Sequence, residues 1–128
     1  MFEETIKKVI ESSLEVKREI LQSDALILTI SKVVSEIIST YKEGGKVLLC
    51  GNGGSAADAQ HIAAELSGKF YLDRPSLFAE ALHTNVSYIT AVSNDYSFEE
   101  VYSRLVKAEG NKGDLLIGIS TSGNSKNI

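Results

Sequence analysis

The stretch KVLLCGNGGSAADAQHIAAELSG, Lys46 to Gly68, decides the fold. It opens with Lys46-Val47-Leu48-Leu49-Cys50, a short apolar run of the kind found in a strand buried on both faces of a parallel sheet. Gly51, Gly53 and Gly54 follow, interrupted by Asn52. Ser55 reads as a helix N-cap, Ala56 to Leu66 is rich in helix formers, and Gly68 is a C-terminal stop. A strand, a glycine turn and a helix N-terminus in that order bind anions. Glycines let backbone N–H groups approach a ligand closely, and first-turn N–H groups have no partner within the helix. The expected guest is a phosphate.

Two other phosphate-binding patterns share this layout. Gly51, Gly53 and Ala56 fit a loose G-x-G-x-x-A dinucleotide fingerprint, which wants an acidic residue about 20 positions on, at a strand end. Asp73 has about that spacing but sits in Asp73-Arg74-Pro75, a turn, which disfavours the reading. A nucleotide P-loop is excluded because no Gly-Lys-Ser or Gly-Lys-Thr follows the glycines.

Composition narrows the class. With 128 residues, net charge −4 and 43% hydrophobic residues, the chain is expected to be one soluble domain at most. Mild acidity without a Lys/Arg cluster argues against nucleic acid. No apolar run approaches the roughly 18 residues of a membrane span. Met1-Phe2-Glu3-Glu4 lacks the basic and apolar regions of a signal peptide, and the lone Cys50 fits a reducing cytosol, so a cytoplasmic protein is expected. Cys50 reads as a packed thiol at the end of a central strand.

Upstream of the glycine turn, residues 2–22 carry Phe2, Ile6, Val9, Ile10, Val16 and Ile20 at helical spacing. Ser23 caps a second helix, Asp24 to about Glu43, which Gly44-Gly45 ends. Its apolar stripe runs from Leu26 through Ile30, Val34 and Ile38 to Tyr41, wider than one small sheet can cover. Residues 1–45 are therefore expected to form a helical region with a surface facing another subunit. Downstream come a polar connection over Lys69 to Pro75, a weaker strand over 76–82, and a short helix over 86–93 broken by Asn94-Asp95. An amphipathic helix over 98–109 precedes a strand, Asp114 to Ile119, that runs into Ser120-Thr121-Ser122-Gly123-Asn124-Ser125 before what reads as a helix start.

In an open parallel sheet, turns at the carboxyl ends of strands line one crevice. The glycine turn and the serine turn are therefore expected to share a site. The hydroxyls of Ser120, Thr121, Ser122 and Ser125, with nearby backbone N–H groups, suit a phosphate monoester. Residues 46–128 read as the first part of a parallel α/β sheet that continues beyond Ile128, since both sheet faces and the edge of the last strand need cover.

At GNGGSAADAQHIAAEL, Asn94-Asp95, Gly113-Asp114 and GISTSGNS the sequence resembles the sugar isomerase (SIS) domain family, most strongly its members that act on heptose phosphates. The resemblance implies a flavodoxin-like, five-stranded open parallel sheet, a homotetramer packed through the N-terminal helices, and a cytoplasmic enzyme. The implied reaction converts sedoheptulose 7-phosphate to D-glycero-D-manno-heptose 7-phosphate through an enediol, in lipopolysaccharide heptose biosynthesis. Asn52, Gly53, Gly54, Ser55, Asn94, Asp95, Ser120, Thr121, Ser122 and Ser125 match the family's substrate-binding positions. His61 and Glu65 match positions that bind a divalent metal, often zinc, and Glu65 also matches a substrate contact and the catalytic base. No nucleotide cofactor is implied. The family's remaining site residues, a glutamine and a second histidine, are expected beyond Ile128, which leaves the activity of the 128-residue chain alone open.

The residues support part of this independently. His61 and Glu65 are four apart on the helix that opens at the glycine turn, so they share one face. His83 reads as a solvated or capping residue of a polar turn. A rival of another class is a non-enzymatic SIS scaffold that binds a protein partner such as a replication initiator; Glu65 beside His61 favours the enzyme. A sugar-phosphate sensor in a regulator is a third reading.

Overall fold

The computed structural model describes residues 2–128. The chain forms two compact units, one ending at Glu36 and the other spanning Ile37–Ile128. The first unit contains α1 (Phe2–Gln22) and most of α2 (Asp24–Lys42). Glu3 and Glu4 in the first turn of α1 and Asp24 in that of α2 favour the positive ends of the helix dipoles. Ser23 caps α2 as expected, its Oγ accepting from Leu26 N at 3.4 Å. The apolar stripes are uncovered: Ile6, Val9, Ile10, Leu26, Ile27 and Ile30 are all exposed.

The second unit is built around β1 (Val47–Gly51), buried throughout. It pairs in parallel with β2 (Ala79–Ala81) on one side and with β3 (Leu115–Ile119) on the other, giving the order β2–β1–β3. Alternation along β1 sorts the core into two layers. Leu48 and Cys50 pack with Leu82, Val92, Val101, Tyr102 and Leu105, the face covered by α4 (Val86–Asp95) and α5 (Val101–Glu109). Val47 and Leu49 pack with Ala59, Ala63, Ala79 and Ala81, beneath α3 (Gly54–Ser67), with Ile37 and Tyr41 of α2 at the rim. Burying each of the β1 leucines stabilises the fold by about 1.5–3 kcal/mol. The alanines of α3 matter for a different reason: they let the helix lie close to the sheet.

Several expectations need correction. β2 has three residues where seven were expected, because Leu77 N bonds to Leu66 O at the end of α3 and not to β1. Only Phe78 O and Leu82 N extend the pairing, to Val47 N and Leu49 O. Asn94 and Asp95 do not break α4 but form its last turn, closed by Tyr96 N donating to Val92 O at 3.0 Å. The helix expected over 98–109 is a 3-10 turn, Phe98–Glu100, followed by α5. After the serine turn, Ile128 N closes a single turn onto Ser125 O at 3.1 Å. The parallel three-stranded sheet, by contrast, is as expected for the first part of a flavodoxin-like fold.

At the amino ends of β1 and β3, Asp114 ties the strands together. Its carboxylate accepts from Lys46 N at 3.0 Å, from Lys46 Nζ, and from Asn111 N at 2.7 Å. These bonds, the lysine's first, hold its pKa down to about 2.

Candidate active site

The parallel register sets where the two turns emerge. Gly51 pairs with Ile119, so the glycine turn and Ser120 leave adjacent strands at the same level. Both turns thus emerge side by side at the carboxyl ends of their strands.

The glycine turn is shaped by close approach. A Cβ on Gly51 would lie 2.5 Å from Ser55 O, so the chain can fold back into α3 only through glycine there. Gly53 has φ +57°, a conformation that side chains disfavour. Ser55 is not the N-cap. Gly53 takes that position, α3 begins at Gly54, and Ser55 is buried in the first turn. Ser55 N and Ala56 N are already bonded, to Asn52 O at 3.0 Å and Gly53 O at 3.1 Å. The N–H groups of Asn52, Gly53 and Gly54 have no hydrogen bond among the described residues. They are the donors left for an anion. From below, Tyr102 Oη donates to Gly51 O, and burial pushes the phenol's pKa up. Tyr102 is thus the anchor of the turn. It lies beside the apolar stripe of α5, and its role leaves no periodic signal in the sequence.

The serine turn converges on Ser120. Its Oγ lies 3.4 Å from Ser122 Oγ and 3.2 Å from Ser125 Oγ, and it accepts from Gly123 N at 3.1 Å. Asn124 N donates to Ser122 Oγ at 3.1 Å, and Gly123 has φ +65°. Three hydroxyls thus cluster at Ser120, while Thr121 makes no hydrogen bond to them among the described residues. Each hydroxyl can exchange its intra-turn bond for one to a phosphate oxygen.

His61 and Glu65 meet as expected, with His61 Nε2 3.2 Å from Glu65 Oε1. They border an open groove of about 560 Å³, whose other walls include Ile62, Leu66, Phe70 and Arg74. Arg74 donates to Leu66 O at 2.9 Å and to Glu65 O at 3.1 Å. Those are carbonyls at the end of α3, so the guanidinium caps the helix that carries the pair. Asn94 and Asp95 are joined to each other, Nδ2 to Oδ1 at 2.9 Å, at the exposed end of α4. No hydrogen bond links them to either turn among the described residues.

His83 is half-buried and does not cap the helix. Asn85 caps α4, accepting from Tyr88 N at 3.0 Å. His83 lines a groove of about 210 Å³ beside Gly51, Asn52 and Gly53, and its Nδ1 is buried without a hydrogen-bond partner among the described residues. Burial lowers its pKa, so the ring is neutral near pH 7. Burial conversely pushes the Cys50 thiol up, in keeping with a packed, unreactive side chain.

As a metal site the described residues offer an imidazole and a carboxylate on one helix face. That donor chemistry suits zinc but fills two of four tetrahedral positions. Among the described residues no group of three or more His, Cys, Asp or Glu completes it.

Residues 8–128 match the SIS domain family, and the chain belongs to it. Among its relatives are the phosphoheptose isomerases of Aneurinibacillus thermoaerophilus and Clostridium acetobutylicum, 53% and 55% identical over 123 residues. Those matches cover 96% of this chain and 62% and 63% of the relatives. The solved phosphoheptose isomerase structure from Neisseria gonorrhoeae superposes with a TM-score of 0.90 at 42% identity, over 99% of this chain and 65% of that one. A phosphoheptose isomerase structure from Francisella tularensis gives 0.91 at 40% identity, again over 99% of this chain and 65% of that one. The chain therefore spans about three-fifths of the length of these curated relatives.

Proposed function

We propose that the intact protein is an aldose–ketose isomerase acting on sedoheptulose 7-phosphate. The observation that carries this is the His61–Glu65 pair on α3, the helix that opens at a glycine turn lying level with a hydroxyl-rich turn. Identity above 50% to proteins named phosphoheptose isomerase supports the substrate.

The parts divide the work. Gly53 and Gly54 N–H groups and the Ser120, Ser122 and Ser125 hydroxyls hold the phosphate ester, which places the sugar chain near α3. The Glu65 carboxylate removes the C1 proton of the open-chain ketose. The electron pair forms the C1–C2 double bond of an enediol, and the C2 oxygen takes up a proton. Collapse delivers a proton to C2, while the O1 proton is lost to form the aldehyde. No net oxidant is needed, because C1 is oxidised as C2 is reduced. Zinc, held by His61 and Glu65 with further donors, would polarise the sugar oxygens. Asn94 and Asp95 join the site in this reading as substrate contacts.

The exposed stripe from Leu26 to Ile38 supports a homo-oligomer, a tetramer by the family resemblance, because apolar surface of that extent seeks cover. No helix among the described residues is long and apolar enough to cross a membrane, which accords with a cytoplasmic enzyme.

The test is incubation of the intact protein with a panel of ketose phosphates in D₂O, read by NMR. Aldose formation with deuterium at C2 is the expected result. Absence of turnover on every ketose phosphate, with capture of a protein partner instead, would favour a scaffold.

A further inference from the structure

Asn52 and Asn127 form a reciprocal amide pair. Asn52 Nδ2 donates to Asn127 Oδ1 at 2.8 Å, and Asn127 Nδ2 donates back to Asn52 Oδ1 at 3.0 Å. The first residue lies in the glycine turn and the second two positions past the serine turn, 75 residues along the chain. Asn127 is only 8% exposed, so water cannot readily replace its bonds. Its segment is held to the serine turn by Ile128 N donating to Ser125 O at 3.1 Å.

Two antiparallel bonds fix the plane of an amide where a single bond would let it swing. Each amide has two donor hydrogens and two acceptor lone pairs, and the pair uses one of each. Asn52 therefore keeps one N–H and one lone pair for a ligand, in a plane set by its partner.

We propose that Asn127 is a positioning residue of the sugar phosphate site, holding the Asn52 amide and fixing the glycine turn in register with the serine turn. This rests on reading the two turns as one phosphate-ester site. Asn127 acts through Asn52 and does not itself touch the substrate.

Two measurements on the intact protein test it. In the wild type, one of the two Asn52 side-chain amide protons, resolved through its ¹⁵N, should exchange slowly with solvent. Two fast-exchanging protons would overturn the proposal without any variant being made. The second measurement is a double-mutant cycle on the affinity for inorganic phosphate and on KM. Asn127→Ala should weaken both about tenfold, within the range of neighbouring residues that share a bond, while kcat changes less. In an Asn52→Ala background the same change should have almost no further effect. Equal penalties in both backgrounds, or none in either, would show that Asn127 does not act through Asn52. Should Asn127→Ala not fold, Asn127→Ser, uncharged and also lacking the amide pair, takes its place in the cycle. A wild type that isomerises no ketose phosphate yet shows the phosphate cycle supports this role and overturns only the isomerase reading.

Discussion

Replacing Glu65 with glutamine separates chemistry from architecture at this site. The side chain keeps its size and an acceptor oxygen, and loses its basicity. Glu65 Oε1 lies 3.2 Å from His61 Nε2, with the histidine side chain 75% exposed and the glutamate 36%. A polar contact so open to water contributes about 0–1 kcal/mol. For a chain of this size that is a change of at most about 5 °C in Tm. Removing a general base, by contrast, costs about 10²–10⁴-fold in rate, or roughly 3–5 kcal/mol of barrier. Glu65→Gln should therefore leave thermal unfolding nearly unchanged and keep inorganic phosphate as a competitor, while kcat falls at least ~10²-fold. The assay is NMR-monitored conversion of sedoheptulose 7-phosphate by the intact protein, paired with a thermal melt. Retention of the wild-type rate would assign the base elsewhere. Loss of rate together with a fall in Tm of more than about 10 °C would mean the residue is structural.

Other parts of the site and its frame make their own predictions. Tyr102→Phe removes the hydroxyl that holds Gly51 O, so stability should fall by about 1–3 kcal/mol in chemical denaturation, with phosphate affinity falling too; an unchanged denaturation midpoint would reject the anchor. Gly51→Ala sets a Cβ 2.5 Å from Ser55 O and should abolish phosphate binding by displacing the turn, whereas a variant that binds normally would show that the turn has slack. Asp114 has a folded pKa of about 2 against an ordinary 3.8, so its contribution to stability is present above about pH 4–5 and is lost as pH falls towards 2. Asp114→Asn should weaken the protein at pH 7 and flatten that acid limb; an equally steep limb in the variant would place the linkage on other carboxylates. Val34→Glu with Ile38→Glu should dissociate the oligomer in light scattering, and an unaltered assembly would mean that another surface holds it.

What the sequence determined by itself is what neighbours along the chain decide. Gly51 between an apolar run and a helix-forming run dictates a strand–turn–helix unit, and the spacing of His61 and Glu65 puts them on one face of whatever helix forms. Ser23 was legible as a cap because a cap needs only the backbone a few residues on. The likeness of the glycine and serine turns was legible too, although their meeting depends on strand order. Tertiary structure alone decided the rest. Tyr102 reaches Gly51 across 51 residues and Asn127 reaches Asn52 across 75, and both contacts exist only because β1 sits between β2 and β3 beneath α5. His83 misleads because a polar turn in sequence can still border an apolar groove, here with Val86, Ile89 and Phe98. The end of α3 misleads in the same way, taking Leu77 N from the strand that its alternation suggests. Periodicity reports which face a side chain takes on its own element, and hydrogen bonds between elements answer to the packing that brings those faces together.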